Sequence, residues 1–582
     1  MNNRLLLYVH FNRNNDLSEH VVYQLQHLRQ NFEEIFFISN SLLAKQKVEQ
    51  LTDSKLIDGF MQRENKGYDF AAWSEAMKYY GFEQLENYDS VTIMNDTCFG
   101  PVYDFTSAFE KMDSDNQISF WGITNNRSHK VKPWEDKEAV VLPDHIQSYF
   151  VSYKRDIVQS ESFKKFWSTI EILSDVVEVI IKYETAMTKF FEKAGFKSAV
   201  LFDTRKQDWT GMVVHDFSVF NLPELLKRKI PFLKIKAFSY GADYPYTPFV
   251  IEQIKGETAY PVKLIVNHMT EVDYPDREYM LLEKILTFSD KATKKTALKI
   301  GIHLHASHPE LIQEYLNYFD QYIQNYELYI TTDSEEKKEK ILENYSISQL
   351  KTVIATQSDD KGTLAWLTIS SSLEKYDLCG HFYTKKSENN EWIVEEAYRR
   401  DIELALLKPA QEIFEKFEKN QKVGIVVTDV SLFYKSFENQ NFTASWDDMV
   451  KIWQIIDHRK NQDLKEINDN KIKYNAMIWY RPQALQNIYK SDIKERTLKE
   501  LLLSTGGVES FEKLLIYISW GNGYDFRISR GSVKKNLIIE KSDNQAISAN
   551  TIDFTQIRIR KLLKELFRKF KIITIYRLKL KK

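Results

Sequence analysis

The sequence predicts an α/β protein: a mostly parallel sheet flanked by helices, duplicated as two tandem domains, with a C-terminal basic amphipathic helix. Three observations predict it. Short apolar runs alternate with segments of helical period, the pattern of strand–helix–strand units in a parallel sheet. The same plan recurs in the second half of the chain, in the same order. The last segment, Arg558 to Lys582, is densely basic and carries an apolar stripe at helical spacing.

The elements follow in order. "RLLLYVHFN" is a buried-type strand, and "LSEHVVYQLQHLRQ" is a helix. "EIFFISNS" is a second apolar strand. "KLIDGFMQR" holds a short apolar run, and "ENKGYD" after it is a polar turn containing Gly67. Phe70, Trp73, Met77 and Tyr80 then recur every three or four residues, as on one face of a helix. "YDSVTIMNDT" is the next strand. In open parallel sheets, ligands sit beyond the carboxyl ends of the strands. The polar residues there are therefore the candidates: His10 and Asn12, Ser39 and Asn40, Asn95 and Asp96. Further on, "IIKYETAMTKFFEKAGFKSAV" reads as a helix that Glu184 precedes, ending at the C-cap signal Gly195, with a strand after it.

The second copy begins at "KIGIHLHASHP". Tyr8–Asn12 matches Gly301–His305, and Ile35–Ser41 matches Leu328–Ser334. Lys66-Gly67 matches Lys361-Gly362, and Tyr88-Asp89 matches Tyr376-Asp377. The expected domains are 1–285 and 299–545, with a tail at 550–582. The copies differ where chemistry would reside: Asp69 falls opposite Leu364, and Asn95-Asp96 opposite Tyr383-Thr384. The first copy is therefore the candidate catalytic one.

Composition narrows the function classes. A chain of 582 residues exceeds one ordinary core. A net charge of −2 argues against a polycation built for nucleic acid. Aromatic residues at 14% with few glycines and prolines favour packed domains over disorder. Two cysteines, Cys98 and Cys379, exclude a disulfide framework and fit a reducing compartment. The opening "MNNRLLLYVHFNRNN" is not a signal peptide, and no window reaches about 18 uninterrupted apolar residues. In the tail, Leu562, Leu563, Leu566, Phe567 and Phe570 form a stripe among lysines and arginines. Such a helix suits an anionic membrane surface; the plain alternative is a terminal helix packed on its own domain.

Several positions invite chemistry. A helix N-terminus favours anions, so the turn before Phe70 suits a phosphate; Asn65 or Asp69 as a simple cap is the alternative. Asp96 at a strand end suits Mg²⁺ or Mn²⁺ held together with ligand phosphates, or else a turn closed on its own backbone. Glu184 reads as a dipole-favoured surface acid or as a base aimed into a cleft. His145, Gln147 and Tyr149 alternate as on a strand, one face lining a cleft or packed inward. Trp121 either stacks on a sugar or fills the core. His303, His305 and His308 have no nearby cysteine or matching carboxylate and read as strand-end hydrogen-bonding groups.

These stations, in this order, resemble nucleotide-sugar glycosyltransferases of the GT-A fold. "NKG" at Asn65–Gly67, "NDT" at Asn95–Thr97, and "YE" at Tyr183-Glu184 with "AGFK" carry the likeness. The metal motif has one Asp, and the acidic pair only its second member. More closely, the chain resembles the rhamnan synthesis protein F family. That likeness rests on "NKGYDFAAW", "YDSVTIMNDTCFGP", "FWGIT", "HIQSYFVSYKR", "KYETAMTKFFEKAGF", "IHLHASHPE", "LYITTDS", "YDLCGHFYTKKS" and "AMIWYRPQAL". It covers most of the chain except the tail.

The resemblance implies a GT-A-like fold and a cytoplasmic inverting rhamnosyltransferase of cell-wall polysaccharide synthesis, peripheral on the inner face of the plasma membrane. The implied donor is dTDP-L-rhamnose, and the implied acceptor is a glycan on polyprenyl diphosphate. Donor contacts are implied for His10, Asn12, Asn40, Asn65, Lys66, Gly67, Asp69 and Asn95. Acceptor contacts are implied for Trp121, His145, Gln147 and Tyr149, a divalent metal (Mg²⁺ or Mn²⁺) for Asp96, and the role of base for Glu184. Lys66 and Asp69 would hold the sugar–diphosphate end, with Gly67 letting the backbone approach it. The second copy has "DDKGTL" where the family has Asn-Lys-Gly-Arg-Asp, which speaks against nucleotide binding there. Two rivals remain: a sugar-phosphate transferase of capsule synthesis, and a non-catalytic assembly or glycan-binding protein at the membrane surface.

Overall fold

A computed structural model describes residues 3–530, except 133–137, 211, 213–215, 240–246, 273, 279–280, 289–295, 324, 357–360, 387–395, 397–398, 430–445, 457–463, 465–473, 489–497, 499 and 505. The tail expected on the membrane lies outside the described residues. The chain divides into two compact units, Met1–Leu281 and Leu282–Lys582.

In the first unit the strands are β1 (Arg4–His10), β2 (Glu34–Ser39), β3 (Gly59–Gln62), β4 (Ser90–Asn95), β5 (Cys98–Phe99) and β6 (Phe120–Asn126). After them come β7 (His129–Val131), β8 (Val140–Leu142), β9 (His145–Ile146), β10 (Phe150–Lys154), β11 (Ser198–Phe202) and β12 (Leu233–Lys234). The main sheet runs β11-β6-β10-β4-β1-β2-β3, with β9 beside β6. All its pairings along that path are parallel except those of β10, which runs against β4 and β6.

β1 is apolar along its length because both of its faces are covered. Leu5, Leu7 and Val9 face one core, and Leu6 and Tyr8 the other. Helix α1 (Glu19–Leu28) supplies Val21 and Leu25 to the second core. Helix α2 (Lys45–Asp53) then precedes β3, and helix α3 (Tyr68–Tyr80) follows it. The face of α3 expected from its spacing, Phe70, Trp73 and Met77, is buried against the first core, and Trp73 Nε1 donates to Leu7 O at 3.2 Å.

Chain order decides where a ligand fits. The chain builds outward from β1 to β2 to β3, then returns to lay β4 on the opposite side of β1. That reversal opens a crevice beyond the carboxyl ends of β1 and β4. His10, Asn95 and Asp96 end those strands or follow them directly.

The second unit contains β13 (Ile300–His305), β14 (Glu327–Thr332), β15 (Leu350–Ala355), β16 (Leu378–Tyr383), β17 (Val423–Asp429), β18 (Tyr474–Tyr480) and β19 (Asp525–Ser529). They are ordered β15-β14-β13-β16-β18-β17-β19, with β18 alone antiparallel to its neighbours. Strand for strand, this is the topology of the first sheet, so the duplication is structural. Even the base of the sheet repeats: Tyr88 hydroxyl donates to Glu34, and Tyr376 hydroxyl to Glu327.

Pairing registers correct one part of the sequence alignment. Leu5 stands opposite Glu34, and Gly301 opposite Glu327. Tyr8 therefore aligns with Leu304, not with Gly301. Apolar strands slide past each other easily in an alignment; hydrogen-bond register does not permit it. The chain has joined the second sheet by Lys284, whose Nζ meets Asp525 Oδ1 at 2.7 Å. Leu286 N then donates to Ile528 O at 2.8 Å.

Gly67 caps α3 in the left-handed region, at φ 68°. A Cβ there would sit 2.6 Å from Ala71 Cβ and 3.2 Å from Ile172 Cα. Conformation and the Ile172 backbone demand the glycine here, a requirement separate from the ligand approach expected from sequence. Gly362 holds the same place and conformation in the second unit, at φ 75°. Gly67→Ala should cost about 1–3 kcal/mol, from left-handed strain and the contact with residue 172. Chemical denaturation measures this, and an unchanged midpoint would show that the turn relaxes freely.

Candidate functional site

The ends of β1, β2 and β3 are laced together. Asn40 N donates to His10 O at 2.8 Å. Asn40 Nδ2 donates to Asn65 Oδ1 at 3.1 Å, and Asn40 Oδ1 accepts from Arg63 Nη1 at 2.9 Å. Arg63 also donates to Lys66 O at 2.6 Å and forms a two-pronged pair with Glu75 at 2.8 Å. Arg63 thereby pins the polar turn to the strand ends. Asn12 is committed to its own loop: its amide donates to Ser18 Oγ at 3.0 Å, and its Oδ1 accepts from Asn14 N at 2.8 Å. Lys66 is 72% exposed and pairs with Glu64 at 2.6 Å. Surface pairs of this kind contribute about 0–1 kcal/mol, so the lysine exchanges partners readily.

Asp69 lies in the first turn of α3 and accepts a hydrogen bond from Asn95 Nδ2 at 2.7 Å. Asn95 Oδ1 in turn accepts from Thr97 Oγ1 at 2.6 Å. Burial raises the Asp69 carboxyl to about 6; repulsion from Glu184 adds to this, while Asn95 and Arg63 oppose it. Asp96 accepts from Phe11 N at 2.9 Å, and its side chain is 13% exposed. Burial pushes its carboxyl up to about 8, with repulsion from Asp69 adding to the shift. His10 Nε2 lies 3.9 Å from Asp96 Oδ2, and its Nδ1 lies 3.2 Å from Ser39 Oγ. Burial lowers this imidazole to about 4, so it is neutral near pH 7.

Glu184 does not open a helix. It ends a π-turn, Ile180–Glu184, set between Val176–Val179 and Thr185–Lys193. A π-turn shifts the side chains that follow it around the helix axis, and such turns often mark functional sites. Glu184 Oε1 accepts from Ser148 N at 3.1 Å and from Ser148 Oγ at 3.0 Å. Both bonds fall on one oxygen, which leaves Oε2 to accept a proton. The helix-start signal misled because a π-turn has no sequence signature of its own.

The three residues expected on one strand face separate. Only His145 and Ile146 form a strand; Gln147 to Tyr149 turn before β10. Gln147 Oε1 accepts from Thr124 Oγ1 and Ser218 Oγ, each at 2.6 Å, and Tyr149 hydroxyl meets Thr124 Oγ1 at 2.8 Å. His145 instead lies beside Asp144 and Asp203 in another cleft. Trp121 is fully buried against Phe105, Phe109 and Phe150, so it fills the core and cannot stack on a sugar.

Two residues escaped the sequence reading. β12 pairs with β5, setting Lys234 opposite Cys98, just after Asp96 in the chain. Lys234 Nζ bonds Asp216 Oδ2 at 2.7 Å and lies 5.5 Å from the Tyr149 ring centroid. Gln147 Nε2 also donates to Asp216, at 2.9 Å. Asp216 caps the short helix Phe217–Phe220, accepting from Ser218 N at 3.0 Å, and neither residue lies in a sequence motif.

Among the described residues, no group of three His, Cys, Asp or Glu side chains converges as a metal cage. The crevice offers the Asp96 carboxylate, with the buried His10 Nε2 beside it, which has no hydrogen-bond partner among the described residues. The Asp96 oxygen fits Mg²⁺ or Mn²⁺ completed by diphosphate oxygens, whereas an imidazole nitrogen does not suit Mg²⁺. The histidines of the second unit bond one another and Thr331. His303 Nδ1 meets His381 Nδ1 at 2.9 Å, and His303 Nε2 and His305 Nδ1 meet Thr331 Oγ1 at 2.8 and 2.9 Å. They are strand hydrogen-bonding groups, and His308 is apart from them, donating its backbone N–H to Thr384 Oγ1.

A sequence model of the family described as rhamnan synthesis protein F matches residues 35–524. Over 191 residues the chain is 27% identical to the virulence protein VirA of Vibrio anguillarum, covering 32% of this chain and 53% of that one. Over 186 residues it is 24% identical to the uncharacterized protein y4gN of Sinorhizobium fredii, covering 32% of this chain and 45% of that one. The chain spans about half the length of the curated relatives it matches. Among solved structures it is similar to the glycosyltransferase GlyE of Streptococcus pneumoniae, at 8% identity over 68% of this chain and 90% of that one, with a TM-score of 0.22. Because the family model covers most of its length, the chain belongs to the rhamnan synthesis protein F family.

Proposed function

We propose that the first unit is an inverting rhamnosyltransferase that moves L-rhamnose from dTDP-L-rhamnose to a lipid-linked cell-wall glycan. The observation that carries this reading is Glu184. Its carboxylate is held by Ser148 at the crevice where Asp69 and Asp96 end α3's first turn and β4.

The chemistry follows from the bonds. The acceptor hydroxyl loses its proton to Glu184 as its oxygen attacks the anomeric carbon. The bond from that carbon to the diphosphate oxygen breaks, and dTDP leaves with the electron pair. Attack opposite the leaving group inverts the anomeric centre. General-base assistance of this kind contributes about 10²–10⁴-fold. Lys66, the free N–H groups at the start of α3, and Lys234 offset charge on the diphosphate. Asp96 would hold a divalent ion beside the donor phosphates, where it would supply Lewis-acid stabilisation of the leaving group. The acceptor is a glycan on polyprenyl diphosphate, and the basic tail from Arg558 supports docking at an anionic membrane surface. No helix among the described residues is long and apolar enough to cross a membrane.

Purified full-length protein, dTDP-L-rhamnose and a rhamnose-terminated acceptor should release dTDP. Glu184→Gln should keep dTDP binding and lower turnover by about 10²-fold or more. Turnover within a few-fold of the parent would remove Glu184 from the role of base, and release of thymidine monophosphate would point to sugar-phosphate transfer.

Asp96 makes stability pH-dependent with a defined sign. Its carboxyl sits at 3.8 when unperturbed and at about 8 in the fold. The folded chain therefore keeps a proton that the unfolded chain loses, and this contribution, complete below about pH 4, is lost as pH rises through about 8. Melting temperature should fall across that window, and Asp96→Asn should flatten the fall. Mn²⁺ favours the ionised carboxylate, so it should raise the melting temperature more at pH 8 than at pH 6, through Asp96 alone. Melting and turnover indifferent to Mn²⁺ and to chelator would leave charge stabilisation to Lys66 and Lys234.

A further inference from the structure

A second cleft in the first unit holds His145, whose acceptor contact the resemblance implied, and no other residue given a role so far. It lies along the edge strand β11 and helix Thr185–Lys193, with a volume of about 240 Å³. Pockets for drug-sized ligands run to about 300–1,000 Å³, so this one suits a single small ring.

Its charges are internally satisfied. Arg205 forms a two-pronged pair with Asp203, at 2.8 Å on both oxygens, and reaches Asp144 at 3.4 Å. Lys189 pairs with Glu192 at 2.9 Å. No surplus positive charge is left to hold a diphosphate, so the nucleotide donor is a poor match. The polar groups are nevertheless fixed in place: Asn125 Nδ2 donates to Asp203 Oδ1 at 2.9 Å, and Ser198 Oγ to Glu192 Oε1 at 2.8 Å. Ile146, Ala199 and Val200 add a small apolar wall to the lining. A planar amide, carboxylates and a guanidinium beside an apolar wall match a pyranose, whose hydroxyls each donate and accept and whose C–H faces are apolar.

The position of this cleft links it to the crevice. Ile146 N donates to Thr188 Oγ1 at 2.9 Å, and Ser148 N donates to Glu184 Oε1. Thr188 follows Glu184 by one helical turn, so the 146–148 segment fastens cleft and base to the same helix face. We propose that this cleft is a subsite for a neutral saccharide unit of the acceptor glycan, and that it sets which hydroxyl reaches Glu184. The proposal rests on the glycosyl-transfer reading of the first unit.

Saturation-transfer NMR on the full chain tests it, with methyl α-L-rhamnopyranoside and dTDP as separate probes. Ala199→Trp fills the cleft from an edge strand, and Arg205→Ala trims its exposed rim. Both should reduce transfer to the rhamnoside about tenfold and leave transfer to dTDP unchanged. In turnover, both should raise the acceptor KM about tenfold with kcat kept within about twofold. Rhamnoside signals equal to the parent in both variants, or absent from the parent, would overturn the subsite even if dTDP is released in turnover. If the variants lose the rhamnoside signal but no form of the protein turns over donor, the subsite stands as a glycan-binding site and the glycosyl-transfer reading fails instead.

Discussion

The site depends on one hydrogen bond, from the Asn95 amide to Asp69. It joins the end of β4 to the first turn of α3 across the crevice that the strand order opens. Without it, Asp69 would be a carboxylate facing Asp96 and Glu184 with only Arg63 to offset the repulsion. With it, three acids share a small volume and two of them titrate well above their ordinary range. Asp69 and Asp96 ionise together near pH 7 only if positive charge offsets their burial and mutual repulsion. Lys66, in an exposed pair with Glu64, is loosely enough held to exchange partners.

The surrounding lattice of bonds keeps this unfavourable arrangement in place. Arg63 spans Asn40, the Lys66 carbonyl and Glu75, so the polar turn cannot drift away from the strands. On its other side the turn is fastened to the segment before the π-turn: Gly67 N donates to Leu173 O, and Tyr68 hydroxyl to Ser174 O at 2.9 Å. The same segment holds Tyr183 through Glu171 N. The polar turn and Glu184 are therefore mounted on a shared support.

The second unit shows what happens to the same frame when its chemistry changes. Its turn lysine, Lys361, bonds Glu512 Oε2 at 2.6 Å, and Thr363 hydroxyl bonds Glu512 Oε1 at 3.0 Å. Glu512 lies in the helix before β19, as Glu184 does in the helix before β11. Where Asp96 accepts from Phe11 N, Thr384 hydroxyl accepts from His308 N at 2.9 Å. There the acid and the turn lysine pair with each other.

Much of this was legible in the sequence. Apolar runs fixed the strands, because a strand covered on both faces must be apolar throughout. Helical spacing fixed the buried face of α3, and the order of turns exposed the duplication. Those signals are local, or repeat at constant spacing. Tertiary structure alone decided the rest. Lys234 and Asp216 meet because β12 folds back on β5, and composition carries no trace of that pairing. Trp121 lost its sugar-stacking role to a core that three aromatic neighbours fill. Gln147 and Tyr149 left the expected strand because the chain turns there to satisfy Thr124. Glu184 kept its place but by a different device, a π-turn in mid-helix, since side-chain direction depends on the winding of the helix and not on the residue written in the chain.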